Sequence, residues 1–383
     1  MFRHGPTPQR ERNNTMRPPF QQATCMDLLI TLAETPGPSL EETLRRKVLE
    51  DFFTTRGVPF SVDGAGNLRV LFGEGPWEET VVFDAHMDVV QEGFEAKVTR
   101  DKDRLVGMGV ADDLAAVTLL AHLAADLWER KVALERPLLI LFSTGEEGDG
   151  NLKGIRHLVA EKEKPPHLFV SFDLNFDNIC LTALGSKRYR IAVQAPGGHS
   201  WSDFGLPSAI DALMALLTDV KHRFGAITAT HPGQASCNVG TIQGGEGINS
   251  IAAGASATFE FRSVDPKILN RLDQDLQESL ASHVTEAVTF SCTTTGERPA
   301  ASPVESHRIA PMAVKAIHDA TGITPKEIPM STNINVPLSK GWPCVCIGLC
   351  QGGRFHSHEE FLIIDSLAQG WEVLHAMLPD GRA

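Results

Sequence analysis

Apolar segments typical of buried strands alternate with segments of helical periodicity over the first half of this chain. The strand-like segments are NLRVLFG, VVFDAHM, PLLILFST and HLFVSFD. Between them lie segments such as DLAAVTLLAHLAADLW, whose apolar residues recur at helical spacing. A β-α-β series of this kind forms a largely parallel sheet with helices on its faces. The alternation therefore predicts an α/β fold.

The order of elements changes at about residue 186. The segments that follow are a strand, a helix, two strands, a helix and a strand, in the order KRYRIAVQA, LPSAIDALMALLTDVKHRF, SCNVGTIQG, SATFEFRSV, PKILNRLDQDLQESLASH and AVTFSCTT. This β-α-β-β-α-β order is the ferredoxin-like arrangement. We therefore predict a larger α/β domain at residues 21–185 and 298–383, an inserted ferredoxin-like domain at residues 186–297, and a flexible polar arm over residues 1–20.

Composition excludes several classes of partner. A net charge of -13 and a pI near 5.5 argue against binding to the phosphate backbone of nucleic acids. No apolar run approaches the roughly 18 residues of a membrane span, and the polar start of the chain has no signal core, so a cytoplasmic protein is expected. Seven cysteines do not suggest a disulfide framework, and Cys344, Cys346 and Cys350 are expected to pack in the core.

Acidic and histidine residues follow several of the predicted strands. In an open parallel sheet the carboxyl ends of the strands line one edge, so residues distant in the chain meet there. The residues expected at that edge are His86, Asp88, Asp112, Asp113, Glu146, Glu147, Asp173 and His356. So many carboxylates in one place would repel each other strongly, and a pair of divalent cations would remove the repulsion.

Each residue taken alone has a simpler interpretation. Asp113 at a helix start is an N-cap candidate, the Glu146–Glu147 pair fits a solvated turn, His86 fits a hydrogen-bonded core histidine, and Asp173 fits an Asx turn. Their joint occurrence favours the metal site. Two imidazoles and three carboxylates without a thiolate suit Zn²⁺, with Co²⁺ or Mn²⁺ as substitutes.

The ordered motifs carry a family resemblance. H-x-D after a strand, G-x-G-x-x-D-D before a helix, G-E-E-G, an Asp at a strand end and a late H-x-x-x-E resemble the dinuclear zinc exopeptidase and deacylase family. The resemblance implies that His86 and Asp173 bind one metal, Glu147 and His356 the other, and Asp112 both. It also implies that Asp88 orients His86 and that Glu146 is the general base and acid. The spacing to Glu360 selects His356 rather than His358.

The inserted segment resembles the lid domain of that family, which commonly mediates dimerisation, so a homodimer is implied. By position, His199 would contact the oxyanion of the substrate, often across a dimer interface. Arg262 would bind the substrate carboxylate and Asn249 would contact the substrate. Arg262 as a surface residue and Asn249 as a turn former remain alternatives. Residues 330–338, MSTNINVPL, are expected to line the pocket by the same resemblance.

The implied activity is hydrolysis of amide bonds in small substrates by a catalytic domain that holds two divalent ions, preferably zinc. In the family that the chain resembles, Asp at the position of Asp173 accompanies dipeptidases and tripeptidases, so the resemblance favours an aminopeptidase acting on such peptides, similar to peptidase T. An N-acyl amino acid deacylase and a carboxypeptidase of the same family are alternatives. A non-catalytic dimeric binding protein and a two-metal phosphoesterase are rivals of other classes; the phosphoesterase is disfavoured because no basic cluster adjoins the motifs.

Overall fold

The computed structural model describes residues 19–90, 95–302 and 304–379. Most of the predicted arm over residues 1–20 therefore lies outside the described residues. The first part of the chain contains, in order, α1 (Gln22–Ala33), α2 (Thr43–Arg56), β1 (Ser61–Val62), β2 (Leu68–Phe72), β3 (Val81–His86), β4 (Thr99–Asp101), β5 (Arg104–Val106), α3 (Leu114–Glu129), β6 (Leu138–Ser143), α4 (Lys153–Ala160), β7 (Leu168–Phe172) and β8 (Asn178–Cys180).

The middle part contains β9 (Gly185–Gln194), β10 (Gly198–His199), α5 (Ala209–Thr230), β11 (Ala235–Gly244), β12 (Ser250–Ile251), β13 (Gly254–Ser263), α6 (Pro266–His283) and β14 (Thr289–Arg298). The last part contains α7 (Val304–Thr321), β15 (Lys326–Glu327), α8 (Asn335–Ser339), β16 (Cys344–Ile347), β17 (Gly352–Gly353), β18 (Phe361–Ile363) and α9 (Ser366–Ala376). Short 3-10 turns lie at Trp77–Glu79 and Gly148–Gly150.

The central sheet contains eight strands from the first and last parts of the chain, in the order β1-β2-β6-β3-β7-β16-β8-β15. Its middle is parallel: β3 lies between β6 and β7, and β16 continues the sheet beside β7. The strands β1 and β2 and the pairing of β16 with β8 are antiparallel. The predicted mainly parallel α/β sheet is therefore confirmed.

Helices cover both faces of this sheet, which explains why its central strands are apolar on both sides. Every residue of β3 and of β6 is buried. The helix α3 is apolar around most of its circumference because it packs against α1, α9 and β3 at once. The polar residue Asp84 of β3 remains in this core because Ser171 and Asn333 donate hydrogen bonds to its carboxylate at 2.9 Å.

The middle part forms the predicted β-α-β-β-α-β unit. Its four-stranded sheet is antiparallel, in the order β11-β13-β9-β14. The helices α5 and α6 pack on one face over an apolar core that includes Tyr189, Phe259 and Phe261. The bounds of α6 match the predicted helical segment. The helix α5 begins later than its segment, at Ala209, because Ser208 caps it by accepting a hydrogen bond from the Asp211 backbone N–H.

A small antiparallel sheet, in the order β17-β18-β5-β4, was not predicted. It forms because the segment FLIIDSL divides into β18 and the start of α9, and β18 pairs with β5. The pairing brings residues 351–360 beside the loop that precedes α3. Cys344, Cys346 and Cys350 are buried free thiols, in agreement with the packing prediction. Within the described ranges, none of the helices combines the length and the apolarity needed to span a bilayer.

Candidate active site

The proposed metal ligands meet at the carboxyl edge of the central sheet. His86, Asp112 and Asp173 form one group whose ligand atoms all lie within 4.8 Å of one another. Asp112, Glu147 and His356 form a second group by the same measure. Asp112 belongs to both of these groups, and His86, Glu146 and Glu147 form a third. The structure therefore brings the five proposed ligands together, with Glu146 beside them.

His86 is the last residue of β3, and its imidazole is buried. Its Nε2 atom lies 3.2 Å from Asp112 Oδ1 and 3.7 Å from Asp173 Oδ1. The Nδ1 atom lies 3.0 Å from the backbone oxygen of Asp88. A backbone oxygen can only accept, so Nδ1 carries a proton and Nε2 is the ring nitrogen directed at the two carboxylates.

His356 approaches from the opposite side, in the loop between β17 and β18. Its Nε2 atom lies 2.8 Å from Glu147 Oε1 and 3.1 Å from Asp112 Oδ2. The residue has a left-handed backbone, with φ of 59°. None of the donor groups found among the described residues includes His358. The choice of His356 as the ligand stays a prediction.

The donor set fits divalent cations. Among the described residues, no hydrogen-bond partner exists for the buried atoms His86 Nε2 and Asp112 Oδ1, although they face each other across the first group. Unpaired buried polar atoms are costly, and a cation between them would satisfy both. Nitrogen and oxygen donors without a thiolate are the ligands that zinc, cobalt and manganese share.

Burial and mutual repulsion shift the pKa values of the site residues. Burial, aided by the nearby Asp112 charge, raises the pKa of Asp173 to about 7. Burial also raises the pKa of Glu146 to about 8, although the positive charge of Arg298 opposes the shift. Hydrogen bonds that the His356 ring donates to the carboxylates of Asp112 and Glu147 raise the pKa of His356 to about 11. Without a cation, therefore, the site retains protons that metal binding would displace.

Asp88 lies beside the site and fixes the backbone of the G-E-E-G turn, which contains Glu146 and Glu147. Its carboxylate accepts hydrogen bonds from the backbone N–H groups of Glu146 at 2.9 Å and Glu147 at 2.8 Å, and from Ser39 Oγ at 2.6 Å. Its contact with His86 is made instead by its backbone oxygen, and its carboxylate is 3.7 Å from the ring. The side chain of Asp88 therefore orients the two glutamates more directly than it orients His86.

Asp113 and Glu360 also use their carboxylates to fix backbone groups. Asp113 occupies the N-cap position of α3 but makes no side-chain cap; its Oδ2 accepts a hydrogen bond from the His86 backbone N–H at 3.0 Å. Glu360 Oε1 accepts from the N–H groups of Ala111 and Asp112 at 3.0 and 3.1 Å. In the sequence, Glu360 is distinguished only by its spacing from His356. Its hydrogen bonds join residues at least 248 positions apart in the chain, so no local sequence pattern predicts them.

Arg298 is a second residue that sequence reasoning missed. It is the last residue of β14, and its buried guanidinium donates to Glu146 Oε1 at 2.8 Å and to the Glu146 backbone oxygen.

Residues 330–338 are less exposed to the cleft than expected. Asn333 donates to Asp84 and Ser143, and Asn335 donates to the backbone oxygens of Leu184 and Pro299, so both side chains stabilise the interior.

The three predicted substrate contacts in the ferredoxin-like unit are not part of the metal-ligand groups. His199 is exposed, and its Nδ1 accepts hydrogen bonds from the backbone N–H groups of Trp201 and Ser202 at 3.2 and 3.3 Å. Arg262 is paired at both Nε and Nη2 with the carboxylate of Glu260. Asn249 is exposed in the turn before β12, and its backbone oxygen accepts from the Ser200 N–H.

The fold and its carboxylate–imidazole cluster define the class of this protein, a metal-dependent hydrolase. The chain belongs to peptidase family M20/M25/M40, whose pattern matches residues 82–380. A curated relative is acetylornithine deacetylase from Photorhabdus laumondii, which is 27% identical over 234 residues. The match covers 57% of this chain and 58% of that protein, so the chain spans little more than half of the relative's length.

Solved structures with the same fold include three peptidases. A tripeptidase from Staphylococcus aureus superposes with a TM-score of 0.76 at 16% identity, covering 94% of this chain and 98% of that one. The aminopeptidase PepT from Bacillus cereus gives a TM-score of 0.73 at 18% identity, with coverage of 94% and 98%. The metallo-carboxypeptidase Sso-CP2 from Sulfolobus solfataricus gives 0.75 at 13% identity, with coverage of 92% and 98%. At these identities the likeness establishes the fold alone.

Proposed function

We propose that this protein is a two-zinc aminopeptidase that hydrolyses dipeptides or tripeptides. The observation that carries the proposal is the pair of three-residue donor groups that share Asp112. His86 and Asp173 would hold one ion, Glu147 and His356 the other, and Asp112 both; cobalt or manganese could replace zinc. Two such ions, when bound, polarise the scissile carbonyl and lower the pKa of the attacking water.

Glu146 is the residue proposed to move the proton. Glu146 is 3% exposed, and in the metal-free site this burial raises its pKa to about 8. A pKa near neutral suits a group that must both accept and donate a proton. One carboxylate oxygen is held by Arg298. In this proposal the carboxylate takes a proton from the attacking water and returns it to the leaving amine.

His199 is proposed to stabilise the negative charge that develops on the carbonyl oxygen. Because its Nδ1 accepts backbone hydrogen bonds, the proton of the neutral ring lies on Nε2, which is available to an oxyanion. Asn249, in the neighbouring turn, would contact the same substrate. Arg262 would bind the substrate carboxylate, and to do so it would exchange its pairing with Glu260 for the substrate.

A homodimer formed through the ferredoxin-like unit would bring His199 toward the cleft of a second copy. The unit carries several large apolar side chains that are exposed: Trp201, Phe204, Leu206, Met214, Ile242 and Ile248. Its edge strand β11 also leaves one row of backbone groups unpaired in the described sheet. Apolar surface beside an open strand edge is typical of an interface between subunits.

The substrate assignment is supported by Asp173 and by the fold that this chain shares with a tripeptidase and the aminopeptidase PepT. The 27% identity to acetylornithine deacetylase favours a second candidate, an N-acyl amino acid deacylase. Both reactions would use the same metal-ligand groups, so the two candidates differ only in the pocket that selects the amide.

A side-by-side screen of zinc-loaded protein separates these candidates. Free-amine tripeptides, dipeptides and N-acyl amino acids are offered at equal concentration, and amide cleavage is measured. Turnover of the free-amine peptides supports the proposal, and turnover of the N-acyl amino acids alone replaces it with the deacylase. Glu146→Gln should retain zinc but lose about 10²–10⁴-fold in kcat. Near-native activity of that variant, or zinc binding without turnover of any amide, would refute the mechanism.

A further inference from the structure

A single buried arginine connects the ferredoxin-like unit to Glu146. Arg298 ends β14, opposite Ser186 of β9 in the sheet register. The strands β9 and β14 are the two places where the chain enters and leaves the unit. Arg298 is 4% exposed, and its guanidinium reaches from this junction to Glu146.

The guanidinium holds Glu146 at two points. Nη1 donates to the carboxylate oxygen Oε1 at 2.8 Å, and Nη2 donates to the backbone oxygen of the same residue. Nη1 also contacts the Ser331 backbone oxygen at 3.2 Å and its Oγ at 3.3 Å, which anchors the arginine itself. The planar fork of an arginine is suited to fixing two acceptors in one geometry.

These contacts leave one carboxylate oxygen of Glu146 for chemistry. Among the described residues, Oε2 accepts no hydrogen bond from a side chain or backbone group. A glutamate side chain has several rotatable bonds, and ordering it costs conformational entropy. A partner that fixes Oε1 therefore also restricts the orientation of Oε2. This restriction keeps Oε2 directed at the attacking water.

We propose that Arg298 is a positioning residue that holds the Glu146 carboxylate in the orientation needed for proton transfer. The inference rests on the proposed role of Glu146. In this role Arg298 contacts neither the substrate nor a metal. Its effect is expected on the chemical step, because misplacing a reacting group by about 1 Å can cost roughly 10²-fold in rate.

The matched control is Arg156, which crosses the same junction. Its Nη2 atom donates to the backbone oxygen of Glu297, and its Nε donates to that of Asn151, but it contacts no proposed ligand. Arg298→Met should lower kcat by about 10²-fold with a KM within roughly threefold of wild type and unchanged zinc content. Arg156→Met should retain wild-type kcat. Arg298→Lys keeps the buried charge and should recover part of the loss, which guards against misfolding of the methionine variant.

A double-mutant cycle separates positioning from a purely structural role. On the Glu146→Gln background, Arg298→Met should cost less than about threefold, because the group it positions is already inactive. A repeated 10²-fold loss on that background would overturn the proposal. Near-native activity of Glu146→Gln alone would instead overturn the proposed mechanism.

A crystal structure of each variant gives a readout that does not depend on turnover. The Glu146 carboxylate should leave its present position in Arg298→Met and keep it in Arg156→Met. An unchanged Glu146 side chain in the Arg298→Met structure would refute the positioning role, whatever substrate the enzyme cleaves.

Discussion

Replacing Asp88 by asparagine tests whether its carboxylate holds the G-E-E-G turn. The carboxylate accepts from Ser39 and Glu147 through Oδ2 and from Glu146 through Oδ1. An asparagine has only one acceptor oxygen. We expect it to keep the oxygen at the Oδ2 position, where two donors converge, and to turn its NH₂ group toward the backbone N–H of Glu146.

The expected cost follows from the donors that lose their acceptor. One buried N–H without a partner costs about 1–3 kcal/mol, and loss of the charge on the remaining contacts adds roughly 1 kcal/mol. Asp88→Asn should therefore lower the free energy of unfolding by about 2–4 kcal/mol. The shift of the turn at Glu146, which adjoins the proposed ligand Glu147, should weaken zinc binding by about 10–100-fold.

The assay is urea unfolding of chelator-treated protein, which separates the hydrogen bonds from the contribution of bound metal. Asp149→Asn is the matched control, because Asp149 is exposed and lies two residues beyond Glu147. The control should unfold within about 0.5 kcal/mol of wild type. If Asp88→Asn also unfolded within that range, Asp88 would not support the turn, and the reasoning would be wrong.

Two further predictions concern the metal-ligand groups. Without metal, burial raises the pKa of Glu146 to about 8 and of Asp173 to about 7, so both carboxyls bind protons more tightly in the folded chain than in the unfolded one, where the values are near 4. The stability that this tighter proton binding supplies is complete below about pH 4 and is lost as the pH rises to 8. Chelated protein should therefore unfold more easily at pH 8 than at pH 5, and zinc should stabilise it more at pH 8. A free energy of unfolding of chelated protein that stayed flat or rose with pH would contradict this. His356→Ala should reduce zinc stoichiometry in a dialysis and metal analysis, whereas His358→Ala should not, and the reverse result would exchange their roles.

The convergence of the proposed ligands could be predicted because parallel strands end at a common edge. His86 ends β3, Asp173 follows β7, and Glu147 follows β6, so each position depends only on a local strand and the direction of the sheet. The ferredoxin-like order could be predicted for a similar reason, since periodicity within each segment identifies the element. In both cases a short-range pattern was sufficient.

The residues that support the site could not be predicted in this way. Arg298 meets Glu146 across 152 positions, and Glu360 meets Ala111 across 249. Neither contact leaves a spacing or a periodicity in the sequence, because each depends on how the last part of the chain folds back on the first. Asp113 illustrates the same limit: its position at the start of α3 is readable, but its hydrogen bond to the His86 backbone is not.

The acidic residues of the site differ in the groups that their carboxylate oxygens contact. Asp88, Asp113 and Glu360 face backbone N–H groups, which are fixed donors that neutralise a carboxylate without any ion. Asp112 and Asp173 face His86 and each other's charge, so their oxygens are left for a cation. Because the first set is satisfied by the chain itself, the geometry of the turn and of the loop before α3 should persist when metal is removed. Metal loss should then change the charge and protonation of the second set while the scaffold that presents it remains in place.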